Sequence, residues 1–312
     1  MGKTKSNLRG FIKIKIKLFS SLLIFLLLIL NACIIFLLLN LNYLKAYEIA
    51  IHEQLLSNIE DTHGKKLQEL STLEVKIEDL KGLDQKILTI KQQFFDNALA
   101  YETLVLQGKG TKKIAYLTID DGPYSQYTPS FLDILDNYDI LATFFLIGKP
   151  NPILEPIYKR IADSGHTIGN HTYSHAIKRG LYNSVDSFIN DVIKQEKFLQ
   201  TKTGVTTNIV RFPGGSMTAK SGYRTEILKR LRTLNYGYID WNVSTGDSGG
   251  YPTPTSVLNN VLNGINDKKI AVILMHDFSY STLLALPTMI EELKRRDYIF
   301  LPLFYESAKI IK

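Results

Sequence analysis

Two adjacent aspartates, Asp120 and Asp121, close an apolar run, and about fifty residues later two histidines, His171 and His175, stand four positions apart. One carboxylate and two imidazoles are enough to hold a divalent cation with positions left for water and substrate, as in a catalytic rather than a structural zinc site. The second carboxylate is then left to act as a base. The chemistry implied is metal-assisted hydrolysis.

Each piece also has an ordinary reading. Asp-Asp-Gly is a good turn sequence, and isolated histidines are commonly surface or satisfied core residues. The pair gains weight from its spacing, because residues four apart share a face if the segment is helical or turns tightly. Adjacent aspartates at a strand end point in different directions and suit two different tasks.

Three further groups join them. Arg211 opens Arg211-Phe212-Pro213-Gly214-Gly215, where two glycines allow close approach of a ligand or backbone and the arginine can pair with an acid of the site. His276 ends Leu274-Met275-His276, although a buried structural histidine is the plainer reading there. Asp247, in a Gly-rich loop without an obvious core role, is of the type that orients and charges a catalytic imidazole.

Elements that position such groups are legible around them. From Gly108 onward apolar runs alternate with amphipathic segments. Strands are expected at 114–119, 142–147, 167–169, 209–212, 236–243, 270–275 and 299–303. Helices are expected at 131–138, 153–164, 184–204, 221–234, 255–266 and 283–296. This order implies an α/β fold of parallel strands with helical crossovers, as a sheet or a barrel. The candidate residues fall at carboxyl ends of strands, where such folds place their sites.

The rest of the chain reads differently. Residues 1–17 hold six basic side chains and no acid, a cytoplasmic tail, and residues 18–44 contain no charge, long enough for one transmembrane helix. The basic side stays in the cytoplasm, which puts the remainder outside. A cleaved signal peptide, or lipidation at Cys33, is the competing reading, but the apolar run continues through Ile34–Leu39. Cys33 is the only cysteine, so no intramolecular disulfide forms. Residues 45–107 read as a helical stalk, with Leu70, Leu73, Ile77, Leu80 and Ile87 at coiled-coil spacing and Asp84 interrupting it, compatible with a homodimer. Residues 108–312 are the catalytic domain. The net charge of +7 comes almost wholly from the tail, since the remaining 295 residues carry 31 basic against 30 acidic side chains. That balance argues against a nucleic-acid partner.

Taken together, residues from about 113 to 304 resemble the polysaccharide deacetylases with a NodB-homology domain, the family-four carbohydrate esterases. The resemblance rests on Thr118-Ile119-Asp120-Asp121-Gly122, His171-Thr172-Tyr173-Ser174-His175, Arg211-Phe212-Pro213-Gly214-Gly215, a fourth motif around 244–248, and Leu274-Met275-His276, in that order. It implies a distorted (β/α) barrel with fewer repeats than a full eightfold one. It implies Asp121, His171 and His175 as metal ligands, Asp120 as base held ionised by Arg211, and His276 as general acid tuned by Asp247. Leu274 would line the acetyl pocket, and a backbone N–H near Pro213 and Gly214 would face the oxyanion. Where family members show Asp-x-x-Asp-Trp, this chain has Ser244-Thr245-Gly246-Asp247-Ser248. The first acid and the tryptophan are absent, and Trp241 is the nearby candidate for the missing ring.

The implied function is N-deacetylation of an extracellular glycan at the bacterial membrane, first of all peptidoglycan N-acetylglucosamine. Zinc is the expected metal, with cobalt or nickel as alternatives. An O-acetyl esterase, or a catalytically impaired carbohydrate-binding scaffold, are the other readings.

Overall fold

Two long apolar strands, β1 (Lys113–Asp120) and β7 (Ile270–His276), run side by side along their whole length, and Asp120 is thereby registered against His276. The computed structural model describes residues 80–266 and 268–310, which lie in one compact unit. The basic tail, the apolar run 18–44 and the heptad positions before Leu80 fall outside the described residues. Among those described, no helix is long and apolar enough to cross a membrane.

In chain order the elements are α1 (Leu80–Leu106), β1, α2 (Thr128–Asn137), β2 (Thr143–Leu146), α3 (Glu155–Asp163), β3 (Thr167–Asn170), α4 (Val185–Thr203), β4 (Ile209–Val210), α5 (Ser221–Thr233), β5 (Gly237–Tyr238), β6 (Val243–Ser244), α6 (Pro254–Gly264), β7, α7 (Tyr280–Arg295), β8 (Tyr298–Phe300) and α8 (Tyr305–Ile310). The strands pair in the order β5-β4-β3-β2-β1-β7-β6, every pair parallel, with β8 beside the first residues of β1. Among the described residues no pairing joins β5 to β6. The result is a curled, incompletely closed barrel of parallel strands, the distorted (β/α) architecture expected.

Strand alternation sorts the side chains. Ala115, Leu117 and Ile119 of β1 join Ala271, Ile273 and Met275 of β7 in the main apolar cluster beneath the helices. The alternate residues Tyr116, Thr118 and Asp120, registered against Val272, Leu274 and His276, therefore face the barrel interior. A second cluster, centred on Phe188, Phe212 and Ile227, seats α4 and α5 against β4. Serine and threonine caps set the helix starts: Ser184 accepts from Ser187 N at 3.0 Å, and Thr253 with Ser256 forms a capping box before α6.

Two details differ from the pattern of the sequence. The run 236–243 is two short strands rather than one, because the carbonyls of Ile239 and Asp240 turn inward to accept from Arg211. The helix assigned to the stalk does not stand clear of the catalytic unit: Ala98, Tyr101, Glu102 and Val105 are buried, and Phe95 meets Phe304 at 4.5 Å. Ser307 of α8 donates to Glu102 at 2.9 Å.

Buried His166 yields a stability prediction. Its Nδ1 accepts from Ala142 N at 3.1 Å, so the ring is held neutral, and burial pulls its pKa from 6.5 down to about 4. A depressed folded-state pKa means that the stabilisation is present above 6.5 and is lost as pH falls through the window toward 4. From about pH 7.5 to about pH 5 this residue alone should cost about 2 kcal/mol. Urea unfolding at both values should show that loss in the native protein and a smaller one in His166→Gln. Equal losses would remove His166 as the cause.

Candidate active site

The carboxyl ends of β1, β3, β4 and β7 bring the expected groups to one place. Asp121 Oδ1 lies 3.4 Å from His171 Nε2 and 3.2 Å from His175 Nε2, and one ligand atom from each of the three residues lies within 4.8 Å of the others. Donors about 2.0–2.2 Å from a tetrahedral ion stand about 3.3–3.6 Å apart, so these separations suit a single cation. Asp121 Oδ1 is buried and accepts no hydrogen bond, a costly state for a carboxylate oxygen unless an ion completes it. The three residues thus fit a divalent metal.

Local geometry explains why these side chains converge. Asp121 has φ of 70°, Thr172 of 63° and His175 of 49°, so both ligand segments turn tightly instead of continuing as strand or helix. The His171–His175 turn is held by Asn170 Oδ1, which accepts from Thr172 N at 2.9 Å, and by Asp191 of α4, which accepts from Ser174 N at 2.8 Å. His171 Nδ1 donates to Arg211 O at 2.8 Å, fixing the tautomer that leaves Nε2 free to ligate. Burial pulls His171 down to about 3, keeping the imidazole neutral.

Asp120 lies beside this cluster with a different environment. Its Oδ2 is 3.5 Å from His171 Nε2, and its Oδ1 accepts from Arg211 Nη1 at 2.9 Å. Burial raises the pKa of this carboxyl group, with the charge of Arg211 the largest opposing influence. The resemblance implies that Arg211 holds Asp120 in its ionised form and geometry, and the guanidinium contact is present. Burial acts in the opposite sense to the arginine, and a raised pKa makes a carboxylate a stronger proton acceptor.

Arg211 is fully buried and crosses the barrel interior. It donates to Thr118 Oγ1 at 2.7 Å, Asp120, Ile239 O at 3.2 Å and Asp240 O at 3.2 Å, and its guanidinium lies 4.2 Å from the centre of the Phe145 ring. Opposite, His276 Nδ1 meets Asp247 Oδ1 at 2.7 Å, while Asp247 Oδ2 accepts from His276 N at 2.9 Å and Thr282 Oγ1 at 2.7 Å. Burial, the strongest single influence on His276, acts to lower its pKa. The hydrogen bond and charge of Asp247, with the charges of Asp120 and Asp121, nevertheless carry it above the ordinary value. Its Nε2 lies 4.0 Å from Asp121 Oδ2.

The remaining candidates occupy different sides. Leu274 is buried on the interior face two residues before His276. Pro213 and Gly214 form a turn whose Pro213 carbonyl accepts from Tyr182 at 2.9 Å and in which Gly214 has φ of 74°. Trp241 packs against that turn: a Cβ on Gly215 would lie 3.2 Å from its ring, and the ring is 5.8 Å from the Arg211 guanidinium. The ring therefore belongs to the Arg211 side of the site. Sequence reasoning gave no role to Asn170, whose side chain holds the turn two residues on, and passed over Asp191, Thr282 and Lys149, whose roles depend on partners distant in sequence. Lys149 alone carried a signal, standing just past the end of a strand.

Residues 107–239 match the polysaccharide deacetylase family. A peptidoglycan-N-acetylglucosamine deacetylase of Bacillus cereus is 34% identical over 208 residues, covering 65% of this chain and 72% of that protein. The chain belongs to the polysaccharide deacetylase family. It is a hydrolase of that family, which acts on N-acetyl amide bonds of glycans. The catalytic domain of a peptidoglycan N-acetylglucosamine deacetylase from Eubacterium rectale superposes with a TM-score of 0.57 at 34% identity, over 62% of this chain and 89% of that one. A family pseudoenzyme from Bacillus anthracis superposes at 0.53 with 30% identity, over 61% and 63%. The deacetylase fold alone is therefore no guarantee of catalysis, and the argument for activity lies with the side chains.

Asp247 lends itself to a direct test. Asp247→Asn removes the charge that raises the pKa of His276, so the alkaline limb of the kcat profile should move toward acid and kcat should fall about 10–100-fold. An unchanged alkaline limb would separate Asp247 from His276.

Proposed function

We propose that this deacetylase removes the acetyl group from N-acetylglucosamine units of peptidoglycan, with a divalent cation, zinc before cobalt or nickel, held by Asp121, His171 and His175. The observation that carries the reading is a base and an acid on one ligand cluster. Asp120 Oδ2 lies 3.5 Å and His276 Nε2 4.0 Å from ligand atoms. The named activity of the Bacillus cereus relative supports the choice of glycan.

A bound divalent cation would supply carbonyl polarisation and a water of lowered pKa. Asp120 accepts one proton of the attacking water, aimed by the arginine on its other oxygen. Pro213 has no N–H, so the Gly214 amide is the proposed main-chain donor to the oxyanion, a contact worth about 3–4 kcal/mol where geometry is good. His276, protonated beside Asp247, gives its Nε2 proton to the departing sugar nitrogen. Acetate leaves and the glycan gains an amine.

The uncharged run at 18–44, with six basic residues before it, supports a single-pass anchor in the bacterial cell membrane and a catalytic unit outside. The stalk between them would give reach, and pairing of stalks is the proposed route to a homodimer.

The test is acetate release from peptidoglycan, N-acetylglucosamine oligomers and acetyl xylan by a protein beginning at Leu80. Activity is expected on the N-acetylated glycans, at least about 100-fold lower after chelation and restored by zinc, cobalt or nickel. Release from acetyl xylan alone would favour the O-acetyl esterase, and full turnover without metal would end the metal-dependent reading.

A further inference from the structure

We propose that Lys149 is a positioning residue that holds the Asp121–Pro123 turn in the conformation that aims Asp121 at the two histidines; this rests on the metal-dependent reading above. Its Nζ donates to the carbonyl of Asp121 at 2.7 Å and to that of Pro123 at 3.2 Å. The same ammonium lies 3.2 Å from the centre of the Tyr124 ring, a cation–π contact with the residue that follows the turn. One side chain thus grips three of four consecutive residues.

The turn needs such a grip. Asp121 is a non-glycine residue at φ of 70°, a conformation that persists only when its surroundings over-determine it. On one side the turn is tied to the end of β2, through Asp121 N to Phe145 O and Ile147 N to Gly122 O, both at 3.2 Å. On the other it lies flush against buried Asp277, since a Cβ on Gly122 would come within 2.4 Å of Asp277 Oδ2. The Asp121 and Pro123 carbonyls are the parts that Lys149 alone takes up in this set of contacts.

Lys149 is itself anchored. Tyr158 of α3 donates to Ile147 O at 2.7 Å and accepts from Lys149 N at 3.3 Å. The path runs from α3 through the end of β2 to the lysine and then to the backbone of a metal ligand. Partners that orient ligands in this indirect way typically change metal affinity by about 10–100-fold when removed.

Zinc affinity, measured by competition with a chromophoric chelator in the absence of glycan, tests this. Lys149→Met keeps the stem and removes the donors; Lys149→Gln keeps a shorter donor without charge. Each should weaken zinc binding about 10–100-fold. Lys149→Arg, which retains several donors, should recover most of the loss. At saturating zinc, KM for an N-acetylglucosamine oligomer should stay unchanged while kcat recovers toward the native value. Wild-type zinc affinity in whichever of the Met and Gln variants folds would overturn the role of Lys149. Failure of the native protein to bind zinc, cobalt or nickel would instead overturn the metal-dependent reading on which it rests.

Discussion

Asp120→Asn is expected to lower kcat for acetate release by about 10²–10⁴-fold, the range for loss of a general base, while zinc affinity changes by less than about 10-fold, since Asp120 is not among the ligands. Asparagine is nearly the same shape, so its oxygen can still accept from Arg211 and the interior remains filled. What is lost is the ability of the second oxygen to take a proton. Burial has already raised the pKa of this carboxyl group, which increases the loss when it is removed. The measurement is kcat for a defined oligomer at saturating zinc, with metal content determined on the same sample. Full turnover by a zinc-loaded Asp120→Asn protein would mean that another group accepts the proton.

Arg211→Met should destabilise the catalytic unit by about 3–5 kcal/mol, the cost of leaving one member of a buried ion pair without its partner. The arginine is 0% exposed and Asp120 2%, so neither can turn to water. The change also frees Thr118 Oγ1 of β1 and the carbonyls of Ile239 and Asp240 in the segment between β5 and β6. Arg211 therefore ties the central strand β1 to the segment that joins β5 and β6. Urea denaturation at constant pH reads the effect. A loss below about 1 kcal/mol would place Arg211 among dispensable buried pairs, of the kind whose hydrophobic replacement is neutral. Activity should fall as well, because Asp120 loses the guanidinium that orients it.

The sequence carried a good deal of this. The long apolar runs at 114–119 and 270–275 read correctly as buried strands because runs bounded by turn residues leave few alternatives. The i,i+4 histidines and paired aspartates pointed to a cluster of one carboxylate and two imidazoles, and Asp121, His171 and His175 do lie together. The same local logic failed at 236–243, where an apolar stretch looks like one strand but two of its carbonyls are drawn inward by an arginine some thirty positions earlier. At Lys149 its position just past a strand end was the one signal, and nothing near that residue reveals that its ammonium meets two carbonyls of another loop.

What the chain determined by itself was the kind of chemistry and the residues able to perform it, since donor type, charge and spacing are properties of the local sequence. Residue type and spacing leave the division of labour between Asp120 and Asp121 open, and the tertiary structure gives the two their different surroundings. The neighbouring carboxylates are chemically identical, and only their surroundings distinguish them: one faces two imidazoles, the other a buried guanidinium. Burial and charge are set by the residues that close around a group, and those arrive from remote parts of the chain.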